Sequence, residues 1–235
     1  MTIIEAKNYD DLSIKAAAII AAQILKKPSS VLGLATGSSP IGTYQELIKM
    51  NKSGIIDFSE IKTVNLDEYI GLSSTDPNSY FYFMKDNLFN HINIKEGSFH
   101  LPPGVSDNAE KSCDDYEKLI ESLGGIDLQL LGIGTNGHIA FNEPGENFPP
   151  KTHVVKLAEA TIDANARFYD SRDEVPKTAI TMGIGTIMKA RSILLIASGA
   201  NKMDILKKAL YGSVAPEIPA SVLQYHGDLT VVYTT

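Results

Sequence analysis

The sequence predicts an α/β fold: a single domain, residues 1–235, built on a mostly parallel open sheet with helices on both faces. Three observations predict it. Short, apolar, β-branched runs alternate with segments of helical apolar period. Three of the apolar runs end in turns rich in glycine and hydroxyl groups, as expected where parallel strands deliver their carboxyl ends to a ligand crevice. No internal repeat, low-complexity tract or linker divides the 235 residues, a length that suits one large core.

Asp10 or Asp11 can cap a first helix carrying Leu12, Ile14, Ala17, Ile20, Ala21, Ile24 and Leu25, which Pro28 stops. Residues 30–35 read as a buried strand. Thr36-Gly37-Ser38-Ser39-Pro40 is a turn, and Pro40 suits the first position of a helix over residues 41–50. Residues 61–66 form a second strand that ends at Asp67-Glu68-Tyr69. Residues 80–89 read as a helix with an aromatic face, and residues 109–123 as another. Residues 128–133 are the central strand. The alternation over residues 152–157 fits an edge strand, while residues 179–190 suit either element type. Residues 192–197 are buried strand, residues 201–210 helix, and residues 229–233 the last strand.

Composition narrows the function classes. Hydrophobic residues make up 43% and charged residues 21%, ordinary for a globular protein. The net charge of −7 argues against broad nucleic-acid binding, which needs a basic face, but leaves room for a small anion in a local positive pocket. Cys113 is the only cysteine, so neither an intrachain disulfide nor a cysteine metal cluster is expected. No signal-like apolar segment follows Met1, and no apolar run reaches about 18 residues, so neither export nor a membrane span is expected. A reducing cytoplasm is the expected location.

The densest polar chemistry follows the central strand, in Gly132-Ile133-Gly134-Thr135-Asn136-Gly137-His138-Ile139-Ala140-Phe141-Asn142-Glu143-Pro144. His138 can titrate near neutrality, and Glu143 can orient or tune it. The alternative is a loop with one solvated histidine. Thr36, Gly37, Ser38 and Ser39 look like a phosphate cradle at a helix start, without the lysine of a Walker loop; an ordinary serine-capped turn is the alternative. Ser198-Gly199-Ala200-Asn201-Lys202 repeats the logic. Lys202 in a first helical turn would oppose the helix dipole at a cost of ~0.3–1 kcal/mol, which a bound anion would offset; otherwise it is a solvated lysine. In Asp67-Glu68-Tyr69, a carboxylate at a strand's carboxyl end suits a base whose pKa partial desolvation raises; a helix cap or loop acid is equally compatible.

Other readings fit poorly. Gly132-x-Gly134-x-x-Gly137 matches the dinucleotide fingerprint, but Pro144, Pro149 and Pro150 interrupt the helix it should open, and no acid precedes Glu159 in the region about twenty residues on. His138 and Glu143 lack metal-ligand spacing, and the other histidines are scattered, so no metal site is expected. No G-x-S-x-G elbow is present.

Taken together, these pieces resemble the glucosamine-6-phosphate deaminase (isomerase) family over nearly the whole chain. The carriers are Leu34-Ala35-Thr36-Gly37-Ser38-Ser39-Pro40, Asn65-Leu66-Asp67-Glu68-Tyr69, Ser79-Tyr80, the segment from Gly132 to Pro144, Asn165-Ala166-Arg167-Phe168, Thr181-Met182-Gly183 and Ser198-Gly199-x-x-Lys202. The resemblance implies a Rossmann-like fold of the sugar-phosphate isomerase/deaminase type. It implies a conversion, free of metal and cofactor, of glucosamine 6-phosphate and water to fructose 6-phosphate and ammonia. His138 would open the sugar ring with Glu143 orienting or tuning it, and Asp67 would move a proton from C2 to C1. Thr36, Gly37, Ser38, Ser39, Lys202 and Arg167 would hold the phosphate.

Two departures from the pattern stand out. Many relatives carry Asp where this chain has Asn136, so Asn136 is expected to hydrogen-bond His138 while Glu143 does the electrostatic work. The hexameric, allosteric members are longer and carry basic residues where this chain reads Lys151-Thr152-His153-Val154-Val155-Lys156, so a monomer or small homo-oligomer without allosteric activation is expected. Two rivals remain. A phosphogluconolactonase would use the same phosphate pocket, with His138 activating water. A non-catalytic sugar-phosphate sensor would need an output module, and none is evident.

Overall fold

The structure is a computed structural model that describes residues 1–159, 162–163, 166, 169 and 171–235. In chain order its elements are β1 (Thr2–Glu5), α1 (Tyr9–Lys26), β2 (Val31–Leu34), α2 (Ile41–Lys52), β3 (Lys62–Asn65), β4 (Asp67–Tyr69), α3 (Tyr80–Asn87), β5 (Phe99–His100), α4 (Ala109–Ser122), β6 (Leu128–Gly132), β7 (His153–Lys156), β8 (Thr178–Thr181), α5 (Ile184–Met188), β9 (Ser192–Ser198), α6 (Met203–Tyr211) and β10 (Leu229–Thr234).

Seven strands form one sheet in the order β1-β10-β9-β6-β2-β3-β5, and every pair in it is parallel. Strands β2 and β9 are buried along almost their whole length. Parallel strands of this kind need apolar cover on both faces, which is why they read as continuous apolar runs rather than alternating ones. From β2 the chain steps outward through β3 to β5. It then returns to β6 on the other side of β2 and steps outward again through β9 and β10. The winding direction therefore reverses between β2 and β6, and a crevice opens at such a reversal beyond the strand carboxyl ends.

A second, antiparallel sheet of order β4-β8-β7 was not foreseen. Residues 152–157 do supply an edge strand, but to this small sheet. The ambiguous stretch over residues 179–190 resolves into both element types, β8 and then α5. Tyr69, Phe141, Leu157, Ile162, Val175 and Ala179 form a satellite core beside the small sheet, separate from the main one.

Two helix starts differ from expectation. Asn8, not Asp10 or Asp11, caps α1, its side chain accepting from the Asp11 N–H at 2.9 Å. Asn8 is still extended and so can fold its amide back over the first turn, while Asp11 already accepts from the Lys7 N–H. Pro40 sits one position earlier than expected, as the N-cap residue of α2, where no side chain caps the helix. Among the described residues no helix is long and apolar enough to cross a membrane.

Candidate active site

The carboxyl ends of β2, β3, β6 and β9 converge on a cleft of about 910 Å³. Eight of the ten residues singled out from the sequence line it: Thr36, Gly37, Ser38 and Ser39 after β2, Asp67 after β3, Asn136 and His138 after β6, and Lys202 after β9. Glu143 stands behind this wall and reaches it through Asn136. Arg167 lies outside the described residues.

The segment after β6 doubles back on itself. The Gly134 N–H donates to the His138 carbonyl, and the Gly137 N–H donates to the Gly134 carbonyl. Ala140 takes a φ of 52°, a left-handed conformation that costs a side-chain-bearing residue energy. The Asn142 amide offsets that cost by donating to the carbonyls of Ile139 and Met182. The Phe141 N–H donates to Thr181 Oγ1 at 3.0 Å, which ties the loop to the small sheet.

This loop fixes an Asn–His–Glu arrangement. Asn136 Oδ1 lies 2.7 Å from His138 Nδ1 and also accepts from the His138 backbone N–H. Asn136 Nδ2 donates to Glu143 Oε2 at 2.6 Å, and the same carboxylate oxygen lies 3.5 Å from His138 Nδ1. An amide oxygen can only accept, so Nδ1 carries the hydrogen and the neutral ring keeps its lone pair on Nε2. Among the described residues nothing hydrogen-bonds Nε2, so it remains for a ligand in the cleft. The Asn136 amide thus bridges the His138 ring and the Glu143 carboxylate.

Asp67 is 6% exposed, begins β4 opposite Thr181, and has no hydrogen-bond partner for its carboxyl among the described residues. Burial, with a smaller contribution from the neighbouring Glu68 charge, pushes its pKa up to about 8. Glu68 has a different task. Its carboxylate accepts from the N–H groups of Tyr69, Tyr80 and Phe81 at 2.8–2.9 Å and thereby anchors the start of α3. Burial also raises the Glu68 pKa, against the lowering effect of those three bonds. The helix-cap reading of the acidic pair therefore falls to Glu68 and not to Asp67.

Hydroxyl groups, a helix start and a lysine cluster across the cleft. Gly37 turns the chain at a φ of 89°. No acid stands in the first turn of α2, so nothing there competes with an anion for the positive helix end. Lys202 closes a 3-10 turn, Ala200–Lys202, and is the N-cap residue of α6 rather than part of its first turn. Its Nζ lies 3.5 Å from Ser39 Oγ. Lys202 still stands at the positive end of a helix.

Two tyrosines of the cleft carry no site assignment from sequence. Tyr80 lines the cleft and donates to Tyr69 Oη at 3.1 Å. The sequence places it only on an aromatic helix face and in a family motif. Tyr9, the first residue of α1, also lines the cleft. Its partners lie about thirty positions away in sequence, beyond the reach of local pattern.

Residues 6–232 match the family of glucosamine-6-phosphate isomerases/6-phosphogluconolactonase. The chain belongs to this family. Among relatives in it, glucosamine-6-phosphate deaminase of Lachnoclostridium phytofermentans is 59% identical over 232 residues, covering 99% of this chain and 98% of that one. The enzyme of the same name from Clostridioides difficile is 53% identical, covering 99% and 93%. A solved structure described as a monomeric glucosamine-6-phosphate deaminase superposes with a TM-score of 0.97 at 50% identity, covering 100% and 97%. The 6-phosphogluconolactonase of Thermotoga maritima, at 20% identity and a TM-score of 0.76, shares the fold. In this glucosamine-6-phosphate isomerase/6-phosphogluconolactonase framework, the cleft gathers the His138 ring, the buried Asp67 carboxyl of raised pKa, and Lys202 beside the hydroxyl-bearing loop after β2.

Proposed function

We infer that the protein converts glucosamine 6-phosphate and water to fructose 6-phosphate and ammonia. The observation that carries this reading is Asp67: a buried carboxyl without a hydrogen-bond partner among the described residues, in one cleft with a histidine whose free nitrogen is Nε2. A carboxyl of pKa about 8 can both take and return a carbon-bound proton near neutrality. Lactone hydrolysis, the other chemistry of the family, needs no such group.

In this reading the loop Thr36, Gly37, Ser38 and Ser39, with Lys202 and Arg167, holds the phosphate, and that remote binding places the sugar. His138 Nε2 takes the proton of the anomeric hydroxyl and delivers it to the ring oxygen as the C1–O5 bond breaks. The Glu143 carboxylate, through Asn136, faces the positive charge that develops on the ring. Asp67 removes the C2 proton while O1 takes a proton from the substrate's own 2-ammonium group, and a neutral C1–C2 enolamine forms. Asp67 returns its proton to C1, leaving an iminium at C2. Water adds there, and the C–N bond breaks to release ammonia. The assembly that goes with this reading is a monomer or small homo-oligomer, supported by the monomeric description of the 50% identical relative.

The test follows ammonia and fructose 6-phosphate together from glucosamine 6-phosphate. Equal release of both, lost in Asp67→Asn, is expected. Hydrolysis of 6-phosphogluconolactone without either product, unimpaired in Asp67→Asn, would replace this reaction with the lactonase one.

A further inference from the structure

We propose that Tyr9 is a positioning residue for phosphate recognition, acting through the loop after β2; this rests on the phosphate-binding reading of that loop. The Tyr9 hydroxyl lies 3.0 Å from the Ser38 carbonyl and 3.2 Å from the Ser39 carbonyl, and it accepts from the Gly42 N–H at 2.9 Å. One phenol oxygen therefore gathers two loop carbonyls and the amide at the second position of α2.

Helix α2 makes this necessary. A helix usually caps its early N–H groups with a Ser, Thr, Asn or Asp at the N-cap. Here the N-cap is Pro40, which has no side-chain acceptor. Tyr9 supplies the missing acceptor from another helix. Gly42 permits the approach, because a Cβ there would lie 3.0 Å from Tyr9 Cε1 and would collide with the Ser13 hydroxyl. Tyr9 and Ser13 are one helical turn apart, so the same face of α1 carries the cap and demands the glycine.

The consequence for an anion is electrostatic. Carbonyl oxygens that faced a phosphate dianion would repel it, and the two here are drawn instead toward Tyr9, whose single O–H hydrogen they share. A trans peptide holds its N–H antiparallel to its C=O, so drawing the Ser38 carbonyl to Tyr9 turns the Ser39 N–H away from Tyr9. Pro40 contributes no N–H that this arrangement could misdirect. The tyrosine thus sorts the loop's dipoles, leaving donors for the phosphate while touching neither C1 nor C2 of the sugar.

The test is Tyr9→Phe, which keeps the ring and removes the hydroxyl. KM for glucosamine 6-phosphate is measured with the constant for competitive inhibition by inorganic phosphate. The expected result is a rise of about tenfold in both, with kcat within twofold of the parent. Unchanged KM and phosphate inhibition would overturn the inference. A fall in kcat at constant KM would also overturn it, since that is what a merely destabilised variant with fewer active molecules shows. Failure of phosphate to compete in the parent protein would remove the phosphate-loop reading itself, and the role of Tyr9 with it.

Discussion

At the scale of single residues, Asp67 couples stability to activity. Its folded pKa of about 8 lies above the ordinary carboxylate value, so between pH ~4 and ~8 the folded chain holds a proton that the unfolded chain has released. Stability therefore falls as pH rises through that window, while the fraction of Asp67 able to act as a base grows. We expect kcat/KM in the free enzyme to rise with pH toward a midpoint near 8, and thermal stability to decline over the same range. Asp67→Asn should abolish the first and flatten the second, so that the variant melts higher than the parent above pH 8; each kcal/mol appears as roughly 2–4 °C. A parent whose melting temperature is as high at pH 9 as at pH 5 would contradict the assigned environment. Sequence could name Asp67 as a candidate base but could not separate it from Glu68. Their difference lies in three N–H donors from β4 and α3 that reach only one of two adjacent carboxylates.

At the scale of elements, the loop between β6 and the small sheet is a rigid holder for the histidine. Gly134 shows how tightly it is built: a Cβ there would collide with the Nδ1 and Cε1 atoms of the His138 ring. Gly134→Ala is expected to push the imidazole out of the Asn136 bond and to lower kcat about 100-fold, the order of loss that a 1 Å misplacement can cause. Inorganic phosphate should still compete as in the parent, because the loop after β2 is untouched, and circular dichroism should be unchanged. Normal kcat in this variant would mean that the packing of ring on glycine carries no catalytic weight. Elements of this kind were legible where apolar runs were long, as in β9, which spans seven residues. The shorter ones were not. β4 reads Asp-Glu-Tyr and β5 is two residues long, so neither offers alternation enough to identify a strand. Both exist because long-range pairing with β8 and β3 overrides weak local preference.

Across the whole molecule, the two ends of the main sheet treat buried carboxylates in opposite ways. At the amino ends of β2 and β6, Asp127 is satisfied: Lys27 donates to both of its oxygens, and Arg191 and the Val31 N–H add further bonds. At the carboxyl ends, Asp67 has no such partners among the described residues, and chemistry is available there instead. Glu117 links the two sheets. From α4 its Oε1 accepts from the Thr152 N–H at 2.7 Å, the Thr152 hydroxyl at 2.6 Å and the Thr186 hydroxyl at 2.7 Å. It thereby clamps the start of β7 to α5. Nothing in the local pattern announces this role, because Glu117 looks like any helix acid until its burial at 8% exposure is seen. Glu117→Ala strands three donors in the interior and should cost about 2–4 kcal/mol. At 2–4 °C per kcal/mol, the melting temperature should fall by roughly 4–16 °C. Glu117→Gln keeps one acceptor oxygen, so it should lose less than half as much. Equal melting of both variants and the parent would show that the clamp does not hold the small sheet. A large loss in Ala with partial rescue in Gln would place the attachment of the small sheet, and with it the Thr181 anchor beneath the loop that holds His138, on this single carboxylate.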